Sequence, residues 1–135
     1  PPTFPDDVKV LFLFGDPVAA VKSTIKNRWD VNHFQNCGFF ANREPDVVHK
    51  DELGYEAIFD SWMTKKPYPV LAIRCEKMKS CEDKISDFIG TRVTVPCWID
   101  RESAPNDNDT DFLLNRTYTR LINKVNMMPD CIQVS

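Results

Sequence analysis

Glycine is scarce in this sequence. Four glycines, Gly15, Gly38, Gly54 and Gly90, are spread over 135 residues. No Gly-rich phosphate loop can be assembled from positions so far apart, which excludes a Walker A loop or a dinucleotide fingerprint within these residues. Histidine is scarcer still: His33 and His49 are the only two, and the five cysteines contain no C-x-x-C pair. No zinc-binding spacing results, and no metal is expected. No apolar run approaches the roughly 20 residues that a membrane span requires. Basic charge is not in excess either, with Lys+Arg 17 against Asp+Glu 20 and a net charge of -3. Nucleic acid is therefore not expected as a partner, because its generic footprint is basic. A local anion site remains compatible, since net charge says little about one pocket.

What is present is ordinary globular composition, 42% hydrophobic and 27% charged. Residues 1–135 fit a single domain with a real core. Ten prolines favour rigid turns. The chain begins at Pro1 and reads as processed or cut from something longer. The odd number of cysteines, Cys37, Cys75, Cys81, Cys97 and Cys131, leaves at least one thiol free or paired outside the chain. They suggest no disulfide framework, which leans to the cytoplasm. Cys75 reads as a small buried hydrophobe. His33 and Cys37, four apart, read as unrelated residues near a turn. Asn108-Asp109-Thr110 and Asn115-Arg116-Thr117 match the glycosylation sequon, and the helix expected around Asn115 gives them little weight.

Val8 to Phe14 (VKVLFLF) is a β-branched and aromatic run, read as a strand buried on both faces. Gly15-Asp16-Pro17 stops it, with Asp16 as a helix N-cap and Pro17 at the first helical position. A helix is expected to about Arg28. Asn32 to His49 reads as loop, with a turn at Glu44-Pro45-Asp46. Asp51 is expected to cap a helix reaching Thr64, with Leu53, Ala57, Ile58 and Trp62 inward. Tyr68 to Cys75 is the second strand. Lys79 to Phe88 is a helix closed by Gly90. Pro96 to Ile99 is extended, Ser103 to Asp109 is a polar loop, and Asp111 to Met127 is one long helix. Cys131 to Val134 is a short terminal extension. The expected fold class is α/β: a three-layer parallel sheet with flanking helices. Two strands make an incomplete sheet, so another segment or a second subunit is expected to supply the rest.

Two segments can carry chemistry. In Phe14-Gly15-Asp16-Pro17, a strand empties into a helix N-terminus, whose free N–H groups and dipole favour an anion. Ser23, about two turns along, adds a hydroxyl donor, and Lys22 and Lys26 add positive charge. The plainer reading, that Asp16-Pro17 is only a good helix start, carries more weight on physical grounds alone. Glu76 falls at the C-terminal edge of the second strand, where α/β folds place ligands. Capping of a nearby helix is its plainer role. Trp29, Trp62 and Trp98 read as core or connector packing rather than a base-stacking platform. Asp107, Asp109 and Asp111 read as loop and helix N-cap rather than a calcium loop.

VLFLFGDPVAAVKS resembles the 3′-phosphate-binding strand and helix of sulfotransferases that use 3′-phosphoadenylyl sulfate (PAPS). That family has an apolar strand, an Arg-Asp-Pro or similar turn, and a Ser eight residues after the Arg; here Ser23 stands eight residues after Gly15. YPVLAIRCEKMKSCEDKISDFIG is similar to the later family segment, a strand, a Tyr-Glu-Asp-Leu/Met-like turn and a helix ending in Phe-hydrophobic-Gly. The tail through Arg101, Ser103, Tyr118 and Leu121 looks like the C-terminal part of the carbohydrate-type members. The resemblance spans most of residues 8–126. It implies a P-loop NTPase-like fold and a nucleotide cosubstrate, PAPS or 3′,5′-adenosine bisphosphate. It further implies sulfuryl transfer to a hydroxyl or amine, on a small-molecule or carbohydrate acceptor. Gly15, Asp16 and Ser23 would face the 3′-phosphate, and Arg101 would supply a cation. Gly15 replaces the family's Arg, removing a bidentate contact. The family's 5′-phosphosulfate loop and catalytic base have no counterpart here, and no catalytic residue is nominated. The alternative expectation is a non-catalytic module of this fold, used for structure or protein interaction.

Overall fold

The computed structural model describes residues 7–36, 43–99 and 107–135. Strand β1, Val10–Phe14, runs into helix α1, Pro17–Lys26, followed by α2, Trp29–Asn36, which packs on α1. Helix α3 spans Tyr55–Met63, strand β2 Val70–Arg74 and helix α4 Glu82–Ile89, with two short 3-10 turns at Cys75–Lys77 and Lys79–Cys81 before α4. Helices α5, Asn108–Thr117, and α6, Thr119–Met127, lead to strand β3, Cys131–Val134. Among the described residues no helix is long and apolar enough to cross a membrane.

The sheet has the order β1-β2-β3. β1 and β2 are parallel, with Val10 opposite Val70 and Phe14 opposite Arg74, as the two apolar runs suggest. β3 pairs antiparallel to β2, Ile73 opposite Cys131, so the sheet is mixed rather than all parallel. The terminal extension expected at Cys131 to Val134 is therefore a sheet strand. Four residues too short to signal a strand by pattern alone are fixed by their neighbour β2, which is buried on both faces.

Two apolar layers flank the sheet. On one face Phe14 and Ala72 pack with Val21 of α1, Phe59 of α3, Leu114 of α5, and Leu121 and Val125 of α6. Phe12 stacks on Trp62 at 5.8 Å, and Phe14 meets Phe59 edge-on at 5.8 Å. On the other face Leu71, Ile73 and Cys131 pack with Cys81, Ile85 and Val95. Each fully buried aliphatic side chain contributes about 1.5–3 kcal/mol. β1 departs from its expected two-sided burial. It lies at one edge of the sheet, and Leu11 and Leu13 are 38% and 46% exposed, because α4 packs over β2 instead.

Several local expectations shift by a residue or a turn. Asn32–Asn36, read as loop, belongs to α2. In α3, Phe59 enters the core while Ile58 stays exposed. The Asp51 carboxylate accepts from the N–H of Tyr55 and Glu56 at 2.8 and 2.9 Å, so it caps this helix from across Gly54, which has φ 72. Gly90 ends α4 in the left-handed region, φ 89, as expected of a C-terminal cap. The single helix expected from Asp111 to Met127 is two, broken at Tyr118 (φ -101, ψ 15). Tyr118 is buried and donates its hydroxyl to the Val47 carbonyl at 2.8 Å, while Thr119 Oγ1 donates to the carbonyls of Asn115 and Arg116. Such side-chain bonds compete with the helix ladder. Leu114 is the buried residue of α5, and Phe112 is exposed. Trp29 and Trp98 are more than half exposed and are not core residues.

Candidate functional site

The C-terminal ends of β1 and β2 lie side by side, and the turns that follow them, Gly15–Asp16 and Cys75–Lys77, meet. Asp16 is the N-cap of α1 and Pro17 its first residue, as the sequence indicates. The Asp16 carboxylate accepts from the N–H of Val18 at 2.9 Å and of Ala19 at 3.4 Å. The Asp16 N–H donates to Glu76 Oε1 at 3.3 Å. Three amides at the start of α1 are thus occupied by two of the chain's own carboxylates. Glu76 lies so close to Gly15 that a Cβ there would sit 2.9 Å from Oε1. The other oxygen, Oε2, is buried without a hydrogen-bond partner among the described residues. Glu76 therefore bridges the two turns, a placement not legible from its position as a capping candidate.

Ser23 is exposed on α1. Its Oγ accepts from Asn27 Nδ2 at 3.3 Å, a bond that uses a lone pair and not the hydroxyl proton. Lys22 does not stand beside this hydroxyl as a free cation. It pairs with Asp111 of α5 at 2.8 Å and its side chain is only 15% exposed. Arg74, the last residue of β2, lies with its guanidinium carbon 5.1 Å from the centre of the Phe14 ring. Its Nη2 donates to the carbonyls of Val125 and Met128 at 2.8 and 3.0 Å, at the end of α6. The structure thus joins Gly15, Asp16 and Glu76 at one crest and sets Ser23 on the helix that leaves it. Arg101 and Ser103, like Cys37 to Phe40 and the lead-in 1–6, lie outside the described residues.

The remaining candidates resolve into local chemistry. Asp107 is the N-cap of α5, accepting from the N–H of Asp109 at 3.1 Å and from Thr110 Oγ1 at 2.8 Å. These bonds, with the Thr110 hydroxyl first, hold its carboxyl below the usual aspartate range. Cys75 is half-buried, and burial pushes its thiol upward. Asn115 lies in α5 and donates to the Asp111 carbonyl at 2.7 Å. Among the described residues no group of three or more His, Cys, Asp or Glu side chains could hold a metal ion. A cavity of about 270 Å³ opens elsewhere, lined by Ser80, Cys81, Lys84, Pro129, Asp130 and Cys131.

Compared with known proteins, the chain matches no protein family, no curated protein and no solved structure.

Proposed function

We propose that this chain is the 3′-phosphate side of a sulfotransferase-like domain, which binds PAPS and serves sulfuryl transfer to a hydroxyl or amine acceptor. The observation that supports this reading is the Ser23 hydroxyl. It is exposed two turns along the helix that starts at the strand crest, and the bond it accepts from Asn27 uses a lone pair and leaves the hydroxyl proton available to an acceptor. On this reading a phosphate oxygen accepts from Ser23 rather than from the amides of residues 16–19, which Asp16 and Glu76 occupy. A loop for the 5′-phosphosulfate and a base for the acceptor come from a further segment. Transfer in line needs both, together with stabilisation of the leaving phosphate.

Calorimetry with 3′,5′-adenosine bisphosphate tests the reading. Ser23→Ala weakens binding about tenfold, the worth of one hydrogen bond to a charged group. Glu76→Gln strengthens it, by removing a negative charge beside the crest. Absence of heat in all three proteins, or an unchanged affinity in Ser23→Ala, overturns it.

A second reading, a non-catalytic interaction module of the same architecture, has its own supporting observation. The carboxylate of Glu76 stands against Gly15, where an arginine side chain would otherwise begin. A chain that binds no nucleotide even as Glu76→Gln, yet self-associates in sedimentation, fits this second reading and not the first.

A further inference from the structure

Cys81 and Cys131 are 50 residues apart in sequence and belong to one buried apolar cluster. Cys81 is the N-cap of α4, and Cys131 is the first residue of β3, opposite Ile73. Both are buried in the apolar cluster that joins α4 to the sheet. Both also line the cavity of about 270 Å³, together with Lys84, so the pair is packed but has a route to solvent.

We propose that Cys81 and Cys131 form an intramolecular disulfide that fastens the C-terminal strand to the start of α4. The oxidant is a small disulfide such as oxidised glutathione. One thiol loses its proton and attacks a sulfur of the oxidant, releasing one glutathione thiolate and leaving a mixed disulfide. The second thiol then loses its proton and attacks the protein sulfur of that mixed disulfide, releasing the second glutathione. Two protein thiols are oxidised, one glutathione disulfide is reduced to two thiols, and the two protons pass to the released thiolates. The ammonium of Lys84 favours the thiolate of Cys131 in the first step. Burial and the neighbouring thiol oppose that thiolate, so the exchange is slow near neutrality.

The consequence is a closed loop that contains α4, α5 and α6 and ties both ends of this stretch to β2. A crosslink over such a span raises the melting temperature by about 10 °C.

The test uses the native, fully reduced chain with oxidised glutathione, followed by alkylation, digestion and mass spectrometry. The expected product is one peptide pair joined through Cys81 and Cys131, 2 Da lighter than the reduced pair, with the higher melting temperature. Cys131→Ala loses both the crosslinked pair and the shift. Should that variant not fold, the peptide map of the unsubstituted chain decides alone. Glutathione adducts without the internal crosslink, crosslinks only to Cys37, Cys75 or Cys97, or a Cys81–Cys131 bond that forms only in denaturant overturn the proposal.

Discussion

Arg74→Met is the substitution from which most can be learned about how the strand crest is held. Arg74 ends β2, and its side chain is 18% exposed. One nitrogen, Nη2, donates to the last-turn carbonyls of α6, Val125 at 2.8 Å and Met128 at 3.0 Å. Hydrogen bonds from a charged donor are worth about 1.5–3 kcal/mol each. The guanidinium over Phe14, 5.1 Å from the ring centre, adds about 0.5–1 kcal/mol. The contact from Nε to Asp130, 3.3 Å, adds little because Asp130 is half exposed. Against these gains stands the cost of partly burying the charge, which methionine would avoid. The loss still wins, because methionine leaves the Met128 carbonyl without a donor and the Val125 carbonyl with only the Met128 N–H at 3.1 Å. Rehydration of the helix end recovers a share, so the net cost is about 3 kcal/mol, or roughly 10 °C in melting temperature. Urea unfolding of Arg74→Met, with Asp130→Asn as control, measures it. The control should lose less than about 1 kcal/mol. If Arg74→Met falls within about 1 kcal/mol of the parent, or the control costs as much as the variant, the account of the α6 clamp is wrong.

Two further outcomes follow from titratable groups. Tyr118 is held well above the ordinary phenol range, first by burial and then by Asp51, Tyr55 and Asp46. Its folded pKa exceeds its unfolded one, so its contribution is complete below about pH 10 and is lost as pH rises beyond it. Tyr118→Phe should therefore cost about 1–2 kcal/mol at neutral pH, by leaving the Val47 carbonyl unpaired, and should flatten the alkaline limb of urea midpoints; an unchanged alkaline slope contradicts this. The Glu82 carboxyl is held below its usual value of 4.5 by Lys79, the Val95 N–H and Arg92. A lowered folded pKa gives stability that is present above that usual value and is lost as pH falls through the folded one. Glu82→Gln should flatten the acid limb of a melting-temperature profile, and an equally steep limb in the variant excludes the role.

The parts of the fold that sequence made legible are those whose cause is local. Asp16-Pro17, Gly90 and the parallel β1–β2 pair needed only a cap, a left-handed terminator and two apolar runs. What was illegible depends on contacts distant in sequence. β3 is a strand because β2 offers it an edge, and α5 and α6 separate because Tyr118 reaches Val47 across 71 residues. Phe112 and Leu114 look equally apolar in a periodicity count, yet only Leu114 meets the layer made by α1 and α6. At the crest, the spacing of Gly15, Asp16 and Ser23 marked a strand end, a turn and a helix start, but nothing in it showed that Glu76, 60 residues on, reaches the Asp16 amide. The Cys81–Cys131 pair was hidden for the same reason, since no spacing rule covers 50 residues.

Residues 15 and 76 act as one electrostatic unit. With glycine at 15, the Glu76 carboxylate can approach the backbone and accept from the Asp16 N–H; a Cβ there would press on Oε1 at 2.9 Å and push the flexible carboxylate aside. The side chain at 15 thus sets whether the start of α1 meets a carboxylate or is open to an outside anion. The nearby cations do not offset that charge, for Lys22 is directed to Asp111 on α5 and Arg74 to the end of α6. Positive charge at this crest holds the two C-terminal helices in place. On the proposed reading a phosphate at Ser23 leaves the amides to Asp16 and Glu76, and it gains a cation from this helix where Lys22 is drawn away from Asp111 of α5. Its affinity is then coupled to the docking of α5, and a substitution that frees Lys22 acts on ligand and fold with opposite signs.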